Sequence, residues 1–250
     1  MRKDIELNSL ALRTRKMFGE DSYSPIDIFA SVNGWRDKKI TLVFYPLSDR
    51  MSGMCTNVNE DTVICINSGT SYGRQRFTLA HELYHVLYEE NLQRVVCDMS
   101  LWEEKSVSEK EADRFASYLL IPYDALHQYA DGRMVWEIED VIEAEQFFKI
   151  SHQAMILRLL EENYINKEQF EAFQNRKITR EAVKLGYSGE LYQKAPESRR
   201  YFTTGEYIRK VETLADRGLI SVGKKEEMLL EAFRADIVYN LNEEGMDGND

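Results

Sequence analysis

The chain has 250 residues, ordinary hydrophobic content and a net charge of −11, which together indicate a folded protein of one large or two smaller domains. The negative charge argues against general nucleic-acid binding. The sequence lacks the apolar run of about 18 residues that a membrane span requires, and its start does not resemble a signal peptide, so we expect a cytoplasmic protein. Cys55, Cys65 and Cys97 lack ligand spacing, and we expect free thiols.

The first part of the chain changes from helical to strand patterns. Apolar spacing predicts helices over residues 4–18 and 25–32. Alternating β-branched and apolar residues then predict a strand at 40–45 and a hairpin formed by 51–56 and 62–66. We therefore expect a small sheet of three strands, antiparallel or mixed, ahead of the next helix.

The helix predicted at residues 74–88 contains the only HExxH pattern in the sequence, His81-Glu-Leu-Tyr-His85. Residues four apart share a helix face, so His81 and His85 can direct two imidazoles at one ion. Glu82 lies about 100° round the helix and can reach a water molecule without being a ligand. This is the arrangement of a zinc peptidase. The alternative is a core helix whose polar groups are satisfied by other side chains.

The middle of the chain is predicted to be mostly helical. Residues 91–107 read as irregular, with Trp102 in the core, and are followed by a helix at 108–121. Three further helices are predicted, over 122–129, 135–148 and 151–164. The last two resemble a helix-turn-helix, although we favour two packed core helices because the first of them is rich in Glu and would repel phosphate.

The C-terminal part reads as charged helical segments. Thr203 and Glu206 form a capping-box pattern that predicts a helix start, and a last helix is predicted near 224–239. We therefore expect a metallopeptidase domain at 1–164, an all-α region of unknown role at 165–241, and a disordered tail at 242–250.

A catalytic zinc ion with two His ligands needs a third protein ligand. His127 and His152 have the right chemistry but lie in positions where a solvated His is commoner. The helix at 108–121 offers Glu109, Glu111 and Asp113 at its N-terminal end. Helical geometry places Glu109 nearer the apolar face and Glu111 at its flank, and does not choose between them. Glu111 also has an alternative role, because Ser108-x-x-Glu111 is a capping-box pattern.

Two stretches carry a family resemblance. Residues 74–85 read RQRFTLAHELYH, and residues 109–122 read EKEADRFASYLLIP. Together they resemble the ImmA/IrrE metallopeptidases, which pair an xRxxxAHExxH helix with an ExEAxxFAxxLLxP helix. The resemblance covers roughly residues 25–160. It implies an α+β, zincin-like fold, one Zn²⁺ bound by His81, His85 and Glu111, and Glu82 as catalytic base. Asp113 stands where Asn is commoner, which leaves open whether its charge acts near the metal.

The same resemblance implies a function and a partner. Members of this family are typically intracellular and cut or bind helix-turn-helix repressors of mobile elements, including phages, or of stress responses. We therefore expect a zinc endopeptidase whose substrate is such a repressor, encoded nearby. Two alternatives stay open: a zinc-binding module that sequesters its partner without proteolysis, as in toxin–antitoxin pairs, and a DNA-binding regulator that uses residues 138–163. A central strand, 51–56 or 62–66, is a candidate for pairing with an extended substrate.

Overall fold

The computed structural model describes residues 1–89, 106–241 and, as a strand, residues 94–98. Trp102 and the tail expected at 242–250 lie outside the described residues. None of the helices in these ranges is both long and apolar enough to cross a membrane.

The chain folds into an α+β structure, as the sequence predicted. The helices within the described ranges are α1 Asp4–Met17, α2 Ile28–Gly34, α3 Tyr72–Tyr88, α4 Val107–Leu120, α5 Tyr123–Tyr129, α6 Ile138–Phe148, α7 His152–Glu161, α8 Lys167–Gln174, α9 Ile178–Lys184, α10 Glu206–Asp216, α11 Val222–Glu231 and α12 Ala235–Val238. The strands are β1 Ile40–Tyr45, β2 Met51–Val58, β3 Asp61–Asn67, β4 Arg94–Asp98 and β5 Phe202–Gly205.

The sheet is larger than the sequence predicted. Its order is β4-β2-β3-β1-β5, so the three predicted strands form the centre and two further strands complete the edges. Strands β1 and β3 are parallel, whereas the other neighbours are antiparallel. The prediction of a three-stranded sheet was therefore incomplete. The segment 91–107, which was predicted to be irregular, contains strand β4.

Two predictions about the strands were wrong. The C-terminal region is not all-α, because β5 pairs with β1 through the register Thr41↔Gly205 to Phe44↔Phe202. The central hairpin strands also cannot accept an extended substrate, because β2 lies between β3 and β4 and β3 lies between β2 and β1. Their backbone groups already pair within the sheet.

Helix α3 is fixed in place by its first two turns. The buried Arg76 side chain donates from Nε to the Lys149 carbonyl at 2.7 Å and from Nη2 to the Ile26 carbonyl. Gly73 packs so closely on the turn between α6 and α7 that a Cβ there would lie 2.8 Å from the Ser151 nitrogen. These contacts hold the HExxH helix against both the N-terminal segment and the α6–α7 pair.

Several helix ends differ from those predicted because other residues cap them. Helix α4 starts at Val107, with the Ser106 hydroxyl accepting from the Glu109 N–H at 3.2 Å. Ser108 instead donates to Glu89, so the predicted Ser108–Glu111 capping box was wrong.

The other shifted ends lie in α2, α10 and the last helix. Asp27 caps α2, which starts at Ile28 and not at Pro25. The Thr203–Glu206 pattern is a strand followed by a helix start, and the predicted last helix is broken into α11 and α12.

Helices α6 and α7 are packed within the protein, in line with our preference for two core helices over a helix-turn-helix. Its buried Glu145 accepts from the Tyr192 hydroxyl at 2.6 Å and lies 2.6 Å from Nδ1 of His152. The Nε2 of His152 lies 3.1 Å from the Phe173 carbonyl. This polar network ties α6 and α7 to chain beyond residue 165.

Candidate metal centre and active site

The site is built where α3 packs against α4. His81 and His85 lie one turn apart on α3, and both are buried, with 5% and 1% of their surface exposed. Their Nε2 atoms face each other at 3.1 Å. Two neutral imidazoles can therefore direct nitrogen lone pairs at a shared point between them.

Glu109, in the first turn of α4, faces both imidazoles. Its Oε2 lies 3.3 Å from Nε2 of His81, and its Oε1 lies 3.5 Å from Nε2 of His85. Burial would raise the pKa of Glu109, but contact with His81 holds it below the ordinary value. Within the described residues, these three side chains form the group of His, Cys, Asp and Glu that can hold a metal ion.

The outer nitrogens of both rings also face carboxylates. Asp113 Oδ1 lies 2.9 Å from Nδ1 of His81, and Glu89 Oε2 lies 3.0 Å from Nδ1 of His85. Burial alone would lower the pKa of His81, but its hydrogen bonds to Asp113 and Glu109 raise it to about 9 in the metal-free protein. The hydrogen bond to Asp113 holds a proton on Nδ1 of His81 and leaves Nε2 as its ligand atom, which is the usual support for a metal-binding His. Glu89 lies close to Nδ1 of His85 without hydrogen-bond geometry.

The spacing of the three groups fits a tetrahedral zinc ion. Zinc–nitrogen and zinc–oxygen bonds of about 2.0–2.2 Å put neighbouring tetrahedral ligand atoms about 3.3 Å apart. The two imidazole nitrogens are 3.1 Å apart, and Oε2 of Glu109 lies 3.3 Å from one of them, both close to that value. Two imidazoles and one carboxylate are also a ligand set of catalytic zinc, with the fourth position left for water or substrate.

Glu82 lies beside this group, at the junction of α3 and β2. Its side chain is fully buried, and the buried Cys55 thiol lies close enough to feel the charge of its carboxylate. Burial and the Glu82 charge both raise the pKa of Cys55, so this thiol stays protonated. A Cβ at Gly53 would lie 2.9 Å from Glu82 Oε1 and 2.6 Å from the Thr78 methyl, so only Gly leaves room for Glu82 here.

The comparisons with known proteins identify the family of the chain. The model of the IrrE N-terminal-like domain, Peptidase_M78, matches residues 36–160, which is half of the chain. The chain belongs to this family. No curated protein sequence matches the chain. A solved structure of a Mycobacterium tuberculosis transcriptional regulator is similar at 14% identity with a TM-score of 0.43, over 62% of this chain and 46% of that one. The chain thus spans less than half of the length of that protein.

In this IrrE N-terminal-like domain, the resemblance had implied Glu111 as the third metal ligand, but the structure places Glu111 elsewhere. Its carboxylate accepts from the Tyr84 hydroxyl, from the Arg2 backbone N–H, and from Arg2 Nη1 at 2.9 Å. Burial would raise the pKa of Glu111, but these contacts hold it below its ordinary value. Glu109, which the sequence left as an alternative, lies beside the imidazoles in its place.

The remaining candidates lie outside the metal centre. Nδ1 of His127 lies 3.2 Å from the Tyr164 hydroxyl, and His152 belongs to the Glu145 network. The hydroxyl of the nearby Tyr84 donates to Glu111, and the Tyr118 ring lies under the buried Arg158 guanidinium at 4.0 Å.

Sequence reasoning did not identify Glu89 or Gly53 as parts of the site. Glu89 follows His85 by one helical turn, and this spacing is a signal that the sequence contains. Gly53 shows no signal of its own, because its role depends on how closely β2 approaches α3. The open question about Asp113 has a structural answer, since its carboxylate contacts a metal-facing imidazole.

Proposed function

We propose that this protein is a zinc-dependent endopeptidase in which His81, His85 and Glu109 bind one Zn²⁺ and Glu82 is the catalytic base. The observation that carries the proposal is the convergence of two imidazole nitrogens and one carboxylate within 3.5 Å, next to a buried glutamate. The family assignment supports the same chemistry.

Zinc, when bound, polarises a peptide carbonyl and lowers the pKa of a water ligand toward about 7. The protein's own contribution starts with Glu82, whose carboxylate accepts a proton from the attacking water and passes it to the leaving amine. Because Gly53 and Cys55 enclose this side chain, Glu82 has little rotational freedom, and its orientation is set before substrate binds. Asp113 orients the His81 imidazole through a hydrogen bond, and Glu89 adds a negative charge beside His85.

We propose that the substrate is a helix-turn-helix repressor of a mobile element or stress response, and that cleavage takes place in the cytoplasm. The support is the family resemblance and the net charge of −11, which complements the basic face of a DNA-binding protein. Direct DNA binding through α6 and α7 is disfavoured, because the Arg158 of α7 is fully buried and the first turn of α6 carries Glu139 and Asp140.

Co-expression of the protein with the repressor encoded beside it tests this proposal, with the repressor's intact mass as the readout. The wild type should produce two repressor fragments, whereas Glu82→Gln should leave the repressor whole. A Glu82→Gln variant that still relieves repression would show that the protein acts by sequestering its partner, and the peptidase proposal would then be wrong.

A further inference from the structure

The metal-facing side of α3 continues beyond the two histidines toward the start of the helix. Residues four and seven positions before His81 share its face, because seven residues make almost two helical turns. These residues are Phe77 and Arg74. Both are partly exposed, whereas the residues between them and from Thr78 to His85 are buried. Next to the buried metal centre, this face therefore presents first an aromatic ring and then a guanidinium group.

Arg74 is an unusual cation for this position. It lies in the first turn of α3, where the helix dipole favours anions, and the Ser71 side chain does not cap the helix. Its Nε is buried without a hydrogen-bond partner, and in the described part of the chain no carboxylate forms an ion pair with it. A guanidinium whose buried Nε lacks a hydrogen-bond partner is costly to keep, so a functional partner is expected to bind there.

The electrostatic surroundings connect Arg74 to the metal centre. Burial lowers the pKa of Arg74, while the charge of Asp113, the residue that contacts His81, opposes this effect. Glu82, Glu89 and Glu109 add negative charge around the metal. Arg74 is thus the cation of the metal-facing side of α3, and it can offset the repulsion that an acidic substrate would meet.

We propose that Arg74 binds a carboxylate of the substrate peptide and so sets a preference for acidic residues on one side of the scissile bond. This inference rests on the proposed function. Seven residues of helix span about 10 Å, and an extended peptide advances about 3.3 Å per residue, so the contact falls about three residues from the bond that is cut. Phe77 lies between and offers an apolar surface to the intervening side chains.

Peptide binding to the zinc-loaded Glu82→Gln protein tests the proposal without requiring turnover. Three pools of fluorescent decapeptides with amidated C-termini carry one Glu, one Gln or one Lys at randomised positions, and fluorescence anisotropy reads their binding. We expect the Glu pool to bind about tenfold more tightly than the Lys pool. Adding Arg74→Glu should reverse the order, and Arg74→Lys should keep it. A Gln pool with free C-termini separates a terminal carboxylate from an acidic side chain.

Controls separate substrate recognition from structural effects. Arg180→Glu makes the same charge change at an exposed position on α9 and should leave the preference unchanged. Zinc stoichiometry and thermal unfolding should be the same in the Arg74 variants as in the parent. Loss of zinc in Arg74→Gln would show that Arg74 only positions Asp113, and the proposal would be wrong.

The outcomes also distinguish this inference from the proposed function. Binding without charge preference, a preference that survives Arg74→Glu, or no binding of any pool overturns the role of Arg74. Arg74-dependent binding of acidic peptides that the wild type never cuts would support the contact and contradict the peptidase. Cleavage by the wild type with no acidic preference would support the peptidase and contradict the role of Arg74.

Discussion

Replacing Glu109 and Glu111 in turn distinguishes the two assignments of the third metal ligand. Glu109→Gln and Glu111→Gln remove one charge each from the same turn of α4 and keep the side-chain size. In the structure, Glu109 lies 3.3 and 3.5 Å from the two facing imidazole nitrogens. Glu111 is instead bonded to Tyr84 and Arg2. The two substitutions should therefore change different properties.

The expected magnitudes follow from these contacts. Removing a group that merely orients a ligand costs about 10–100-fold in metal affinity, so loss of a ligand should cost at least about 100-fold, or about 2.8 kcal/mol. Glu109→Gln should lose zinc by this amount. Glu111→Gln should change zinc affinity by less than about threefold and lower the free energy of unfolding by about 1 kcal/mol, because the Arg2 side chain is 42% exposed and its contact is screened.

Competition with a fluorescent zinc chelator at pH 7.5 measures both affinities, and thermal unfolding of the metal-free proteins measures stability. A zinc loss in Glu111→Gln equal to or greater than that in Glu109→Gln would refute the assignment of Glu109. It would restore the ligand set that the family resemblance implied.

Three further predictions concern the base, the proton balance and the C-terminal region. Gly53→Ala should abolish most turnover while zinc stays bound, because the new Cβ would lie 2.9 Å from the Glu82 carboxylate. The control Gly223→Ala has open space around its Cβ and should stay active. Equal kcat values for the two variants would contradict this prediction. Because the His81 pKa is about 9 without metal, zinc must displace a proton below that pH, so zinc affinity should rise about tenfold per pH unit from about 6.5 to 9 and then level off. A flat profile in chelator competition would argue against it. Tyr192→Phe should lower the free energy of unfolding by about 1–3 kcal/mol in denaturant titrations, because it removes one hydrogen-bond donor from the buried Glu145 carboxylate. The control Tyr239→Phe, at an exposed position, should have no effect. Equal losses of stability in the two variants would show that the network is unimportant.

Local patterns predicted the centre of the fold but not its edges. Strands β1, β2 and β3 have strong alternation and lie close together in sequence, so their pairing follows from short-range signals. Strand β5 has only four residues and ends at Gly205, and it exists because it pairs with β1, about 160 residues earlier. In isolation the same residues read as a helix cap, since Thr203 and Glu206 have capping-box spacing. Long-range pairing is what the sequence did not show.

The site shows a similar division. Helical spacing alone predicts that His81 and His85 share a face of α3 and that Glu82 lies beside them, and the structure has this arrangement because the geometry of one helix fixes it. The third ligand depends on how α4 is rotated against α3, and two glutamates in one turn are indistinguishable without that rotation. In the structure, Arg2 and Tyr84 hold Glu111, and Arg2 is more than 100 residues from it in sequence. The helical wheel had placed Glu109 nearer the apolar face, and Glu109 is the one that lies beside the imidazoles in the structure.

The most direct test of a zinc-dependent peptidase is hydrolysis of a peptide library by the purified, zinc-loaded protein in H₂¹⁸O. Mass spectrometry of the products identifies new termini and counts the ¹⁸O atoms that hydrolysis adds. We predict new C-termini carrying one ¹⁸O with the wild type, and none with Glu82→Gln at equal zinc content or after chelation of the wild type. Equal cleavage by Glu82→Gln, or cleavage that survives removal of zinc, would contradict the account.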